Sequence, residues 1–525
     1  MPDLRCRTND GVSLDSGLAT FASWRPGMSG LIDGAYLPRR WIALGSEEQP
    51  LRTLIIAAGI CWSVLFVIIG LRYGLQMYAD GSIFSYSVAA EDAWKFHWHN
   101  ISGRLFVFLY AYAPAETYVR LTGDAHRGIV VYGLLFFAAP LFGLIATYAA
   151  DRSRGRIMLG YACLSTACLC PLVFGFPTEV WVSHALFWPT LAVCHYSRGR
   201  LAGVPVFVML LALILSHEGA LIFAVTILIT LFLRGSRDAA FLRALGCFVA
   251  AVAIWAVVLA AFRPDPLVAD ILYRAALHVF DIAILCGDLV LLLLVTLAAY
   301  VAAFCVLRRF AGHSAHVHAH VHAGAIVATA LAAYWLWFDH ALHADNRYYL
   351  RTLLLVVTPM LGALAGMHAL YAEGRLQGSW PLLSSVVAAA TGPLATRLAA
   401  GAVGLVMLVH AVETAKFVTG WERYTAAVRT LATGSLSDPA LGDARFVSSR
   451  RIGDDLNRLS WSSTTPFLSV LLSPRMAPTR LVVDPRSNFF WLSCATATAS
   501  AEADRAIPVE SRRLVQRYAC LHDQG

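Results

Sequence analysis

The 525 residues are 58% hydrophobic and only 14% charged. Soluble domains usually carry about a quarter charged residues, so this composition argues against a soluble domain and for a membrane protein. The net charge of +8 comes from basic residues scattered in short loops, not gathered on one stripe, so no nucleic-acid partner is expected.

The first apolar run begins too late for a signal-peptide core, so no cleavable leader is expected and residues 1–52 read as a cytoplasmic arm. A helix needs about 20 apolar residues to cross a hydrocarbon core. Candidate runs are Leu54–Tyr73, Ile129–Ala149, Ile157–Phe176, Val180–His195, Val204–Leu215 and Leu221–Leu233. They continue as Leu242–Phe262, Ile282–Leu307, Ala323–Phe338, Leu350–Leu370 and Leu398–Ala415. The expected fold is therefore an all-α polytopic membrane protein of about 11 transmembrane helices. The pair of runs on either side of Ser216-His217-Glu218-Gly219 reads equally as one broken helix, a feature that usually lines a protein interior.

Arginines fix the orientation. Arg152, Arg154 and Arg156, then Arg198 and Arg200, then Arg234, Arg237 and Arg243, then Arg308 and Arg309 fall in alternate loops, which puts those loops and the N-terminus in the cytoplasm. A large loop at 76–128 then lies outside, with Trp94, Phe96, Trp98, Phe106, Phe108, Tyr110 and Tyr112 suited to amphipathic helices at headgroup depth. Residues 53–417 form the transmembrane domain on this reading, and 418–525 a small outer, periplasmic domain, α/β or irregular. Lysine occurs only as Lys95 and Lys416 while arginine and alanine abound, a bias that fits a GC-rich bacterial genome and hence a bacterial inner membrane.

Most of the 11 cysteines lie in apolar runs, where cysteine serves as a small apolar residue. Cys494 and Cys520 are the pair in the outer tail, where an oxidising compartment permits a disulfide; two free thiols is the alternative.

Four groups of residues carry chemistry. Asp80 stands just after the first span, in Tyr78-Ala79-Asp80-Gly81-Ser82-Ile83-Phe84-Ser85-Tyr86, followed in the same loop by Glu91, Asp92, His97, His99, Asn100, Arg104 and Glu116. A carboxylate at the membrane face takes a proton from a hydroxyl or holds a metal; the plainer alternative is a solvated interface residue. Glu179, His184, His217 and Glu218 fall inside or beside apolar runs, where ionisable groups face a polar cavity or one another. Arg347 and Arg351 open a span on its outer side at i and i+4, with Tyr348 between them, a spacing suited to clamping a phosphate. The run His313 to His322 alternates histidines, of which His316, His318 and His320 would be the metal ligands. It lies in a cytoplasmic loop without acids or cysteines, so a low-complexity linker is the better reading. No phosphate-binding loop, dinucleotide fingerprint, serine elbow or zinc-protease helix is present.

The layout, with the Asp80 segment, its continuation Ala89-Ala90-Glu91-Asp92-Ala93-Trp94 and the later Asp345-Asn346-Arg347-Tyr348-Tyr349, resembles the GT-C class of integral-membrane glycosyltransferases over roughly residues 54–415. The resemblance implies hexosyl or pentosyl transfer from a polyprenyl-phosphate sugar to an envelope acceptor. It gives Asp80 the part of catalytic base or metal-positioning acid, with Glu91, Asp92 and Glu116 as supporting acids. Arg347, Arg351 and Tyr348 would hold the donor phosphate. A divalent cation is a candidate cofactor. The chain departs from the class in one respect: many members carry two adjacent acids after the first span, whereas Asp80 is followed by Gly81. Another envelope polysaccharide transferase or polymerase, and a multi-pass transporter or flippase, are the alternatives.

Overall fold

A computed structural model describes residues 49–91, 93–96, 104–169, 179–262, 288–310, 349–376, 380–434, 446–457 and 464–483, with a few isolated positions between them. The chain divides into Met1–Gln49 and Pro50–Gly525, and the architecture is that of the second unit. Asp92, Arg347, Tyr348, His316, His318, His320, Cys494 and Cys520 lie outside the described residues, as does the side chain of Arg351.

The described chain is mostly helical. In order it forms α1 (Gln49–Arg72), α2 (Asp80–Ala89), α3 (Ala113–Thr122), α4 (Ala125–Ala150), α5 (Ile157–Leu169), α6 (Glu179–Tyr196), α7 (Gly203–Ile214) and α8 (Ala220–Arg234). Then follow α9 (Ala239–Ala261), α10 (Asp288–Phe310), α11 (Tyr349–Ala372), α12 (Pro381–Thr391), α13 (Pro393–Ala432) and α14 (Thr465–Leu472). Among the described residues, four helices, α1, α4, α9 and α13, are long and apolar enough to cross a membrane. Helices α5, α7 and α8 are apolar but shorter.

Helix α6 is the axis of the bundle. It is buried on every face, from Glu179 through Trp181, His184 and Trp188 to His195, as expected of a helix with no polar stripe. Small residues let neighbours approach it: a Cβ added at Gly143 of α4 would sit 2.4 Å from the carbonyl oxygen of Ala185. The same device joins α1 to α5, where a Cβ at Gly59 would lie 2.6 Å from the Cα of Cys163. Helix α9 is the opposite case. It buries little beyond Ala240, Ala244 and Ala251, and leaves Leu242, Val249 and Val257 exposed, a face suited to lipid.

Helices α7 and α8 are an antiparallel pair, not one interrupted span. Ser183 near the start of α6 meets Ser216 at the end of α7 at 2.8 Å, and Thr230 near the end of α8 meets His195 near the end of α6 at 2.9 Å. Helices α6 and α8 thus run in the same direction and α7 returns between them. The break at Ser216–Gly219 is the turn that joins α7 to α8, at the end of the bundle where α6 begins.

The boundary expected at 417–418 falls inside the 40-residue helix α13. Beyond it the chain folds back on the start of the first loop. Tyr78 packs edge-on against Phe417 and Trp421, and the Trp421 indole N–H donates to the Tyr73 carbonyl at 3.0 Å. Helix α14 lies on α2 through Ile83, Tyr86, Phe467, Val470 and Leu471. Strands β1 (Phe446–Ser448) and β2 (Leu481–Val483) pair in parallel, with Val447 opposite Val482.

Candidate functional site

Asp80 is the first residue of α2 and is 8% exposed. The chain reaches it through Ala79, whose φ of 49° and ψ of −128° is a backbone region that favours glycine. A side chain there costs about 1–3 kcal/mol and persists only where the surroundings over-determine it. Those surroundings are visible: Tyr78 is held between Phe417 and Trp421, and the Ser82 hydroxyl is within hydrogen-bond distance of the carbonyls of Ala79 and Thr464, at 3.0 and 3.1 Å. The acid is therefore presented by a strained turn braced from the C-terminal segment.

A second polar centre sits at the same end of the bundle. Arg104, midway along the first loop, reaches Glu179 at 3.0 Å with one terminal nitrogen and Glu218 at 3.1 Å with the other. Its Nε donates again to Glu218 at 3.3 Å. The three side chains are 9%, 4% and 16% exposed, so this is a buried ion cluster and not a surface pair. Burial acts against the guanidinium charge, but Glu179 and Glu218 outweigh it and hold Arg104 above its ordinary pKa. Beside it, the Gly219 amide donates to Nδ1 of His217 at 2.9 Å, so that nitrogen is the unprotonated one; Glu218 lies 3.7 Å from it.

Two phenols connect the centres. Tyr112, in the π-helical turn Phe108–Tyr112, stacks on Tyr132 of α4 with ring centroids 5.3 Å apart, and meets Phe84 of α2 at 5.4 Å. Asp80 and Glu179 both act electrostatically on the Tyr132 hydroxyl. Burial, then Tyr132 and Glu179, push the Tyr112 phenol well above its usual range, so it stays a neutral hydrogen-bonding group at physiological pH.

The other expected acids go elsewhere. Eleven residues of mostly helical rise separate Glu91 from Asp80, about 15 Å. Glu91 pairs with Arg120 at 3.8 Å, and Arg120 also binds Glu116, whose other oxygen accepts from the Ala93 amide at 3.3 Å. Glu91 and Glu116 thus tie the first loop to α3. His184 is buried one and a half turns below Glu179, its Nε2 2.9 Å from the Ser165 hydroxyl, with the Trp181 ring edge-on against it. Glu179, His217 and Glu218 therefore share one site, and His184 lies deeper in the bundle. Among the described residues no three His, Cys, Asp or Glu side chains group as metal ligands would.

The sequence names Arg104 only as one member of the first loop and Tyr112 only as an interfacial ring, and does not single out Tyr132. The signal available for Arg104 was the one used for Arg347: an arginine on the side of the membrane that the charge rule disfavours. Neither tyrosine carries such a signal, since aromatic residues are common wherever a chain meets a membrane interface. The chain matches no protein-family model, no curated protein and no solved structure.

Proposed function

We propose that this chain is a membrane glycosyltransferase that moves a sugar from a polyprenyl-phosphate donor to an envelope acceptor. It would work on the outer face of a bacterial inner membrane, as a protein of about 11 spans with its C-terminal segment periplasmic. The observation that carries this reading is a buried carboxylate, Asp80, presented on a strained turn directly after the first long apolar helix. An acid held this firmly, and braced from residues nearly 400 positions away, is not a solvated interface residue.

In the proposed reaction the acceptor hydroxyl gives its proton to Asp80 as its oxygen attacks the anomeric carbon. The bond from that carbon to the donor phosphate oxygen breaks, and the lipid phosphate leaves with the electron pair. Arg347 and Arg351, with Tyr348, are proposed to receive that phosphate by charge and forked hydrogen bonds. The Tyr112 phenol, stacked on Tyr132 and against Phe84 of α2, stays neutral and adds no charge there.

The test compares a deletion strain complemented with wild type or with Asp80→Asn, by mass spectrometry of polyprenyl-phosphate lipids and envelope glycans. The expected outcome is that the Asn form, present at normal level, leaves one sugar missing from the glycan while its lipid-linked form accumulates. Wild-type glycans in the Asn strain would overturn the assignment.

A transporter is the second reading, favoured by the buried Arg104, Glu179 and Glu218 at the turn between two short apolar helices. The same strains separate the two. A transporter leaves a lipid or solute on the wrong side of the membrane with no lipid-linked sugar in excess.

A further inference from the structure

Arg104 is separated in sequence from both of its partners, Glu179 by 75 residues and Glu218 by 114 (179 − 104 and 218 − 104). Glu179 is the first residue of α6, and Glu218 stands in the turn between α7 and α8. One guanidinium therefore joins the first loop to two separate parts of the helical bundle. Two residues on, the Phe106 amide donates to the Leu215 carbonyl at 3.0 Å, so backbone follows side chain across the same seam. The Arg104 nitrogens are directed at carboxylates, three contacts at 3.0 to 3.3 Å, which leaves this arginine poorly placed to bind a donor phosphate as well.

We propose that Arg104 is a positioning residue: by holding Glu179 and Glu218 at once, it fastens the first loop across the start of α6 and the α7–α8 turn. That fastening sets the Tyr112–Tyr132 phenol pair against Phe84 of α2, the helix that Asp80 begins. The inference rests on the reading of Asp80 as the reactive acid only for its consequence, not for the fastening itself. The physical reason is geometric. A planar guanidinium can address two carboxylates in fixed directions, and a lysine ammonium, a point charge on a flexible stem, cannot fix both.

The test uses the full chain in lipid nanodiscs and reads amide hydrogen exchange by mass spectrometry, alongside sugar transfer in the complemented strain. Arg104→Ala is expected to speed exchange in peptides covering residues 104–112 and 213–219 by more than in peptides from the core of α1, Ile55 to Phe66. Glu218→Gln is expected to affect residues 213–219 more than the first loop. Arg104→Lys keeps the charge and is expected to yield folded protein, with intermediate exchange and sugar transfer reduced about a hundredfold by misplacement of the site. A merely structural role would let activity follow the amount of folded protein, with no deficit in Arg104→Lys beyond it.

Unchanged exchange in both Arg104→Ala and Glu218→Gln overturns the proposal, as does full transfer by Arg104→Lys. If Asp80→Asn is fully active while Arg104→Ala opens the seam, the glycosyltransferase reading falls and the fastening stands.

Discussion

Two ion clusters close the two ends of the α6–α8 bundle, and they are built for different purposes. At one end Arg104 bridges Glu179 and Glu218, all but sealed from solvent. At the other, Arg234 pairs with Asp238 at 2.9 Å and Arg375 reaches the same carboxylate at 3.5 Å, with Asp238 and Arg375 21% and 41% exposed. The second cluster is helix-end chemistry. Arg234 donates to the His195 carbonyl and Arg243 to the Ser197 carbonyl, capping the last turn of α6, and Asp238 caps the start of α9. Each of its charges has solvent or a backbone group to answer it. The first cluster sets two carboxyl groups around one guanidinium in a buried place, which stability alone does not favour. Burial, not residue type, separates the two clusters.

The largest effect that would test this contrast is Arg104→Ala. Removing one partner of a buried pair strands the others, so a loss of about 3–5 kcal/mol is expected, read as a steep drop in the thermal midpoint of the detergent-solubilised protein. Arg234→Ala should cost about 1 kcal/mol, the scale of a part-exposed ion pair. Equal losses from the two variants would break the comparison. A smaller effect again is expected of Asp238→Ala, about 1 kcal/mol or less from the lost cap, in the same assay.

The smallest prediction concerns pH. Partial burial pushes the Asp238 carboxyl up, but the Ala240 amide and the charges of Arg234 and Arg375 pull harder the other way and leave it below its ordinary 3.8. Its contribution is therefore complete above that value and fades as pH falls through the lower folded one. Thermal midpoints measured from pH 6 down to about pH 3 should fall slightly less in Asp238→Asn than in wild type. A wild-type acid profile in that variant would show that Asp238 contributes nothing there.

Much of this architecture was legible from the chain. The apolar runs from Leu54 to Leu307, and those at Leu350–Leu370 and Leu398–Ala415, fall on or overlap helices, because a continuous apolar stretch has few other ways to satisfy its backbone in lipid. The acids and histidines that interrupt the runs were equally visible, and Glu179, His217 and Glu218 do share one place. Their common partner was not visible. Nothing local to Arg104 distinguishes it from Arg120 in the same loop, yet one is sealed between helices and the other is 59% exposed.

By itself, then, the sequence determined that the chain is helical and apolar, and where ionisable groups interrupt its apolar runs. Composition and periodicity act within a few turns, and so they are readable in one dimension. Tertiary structure alone decided that Ser216–Gly219 is a turn between antiparallel helices, that α14 braces the turn before Asp80, and that Arg104 bridges two carboxylates far along the chain. Those depend on which helix faces pack together across long separations, as the close approaches at Gly143 and Gly59 do for α4 with α6 and α1 with α5, and no local pattern records that.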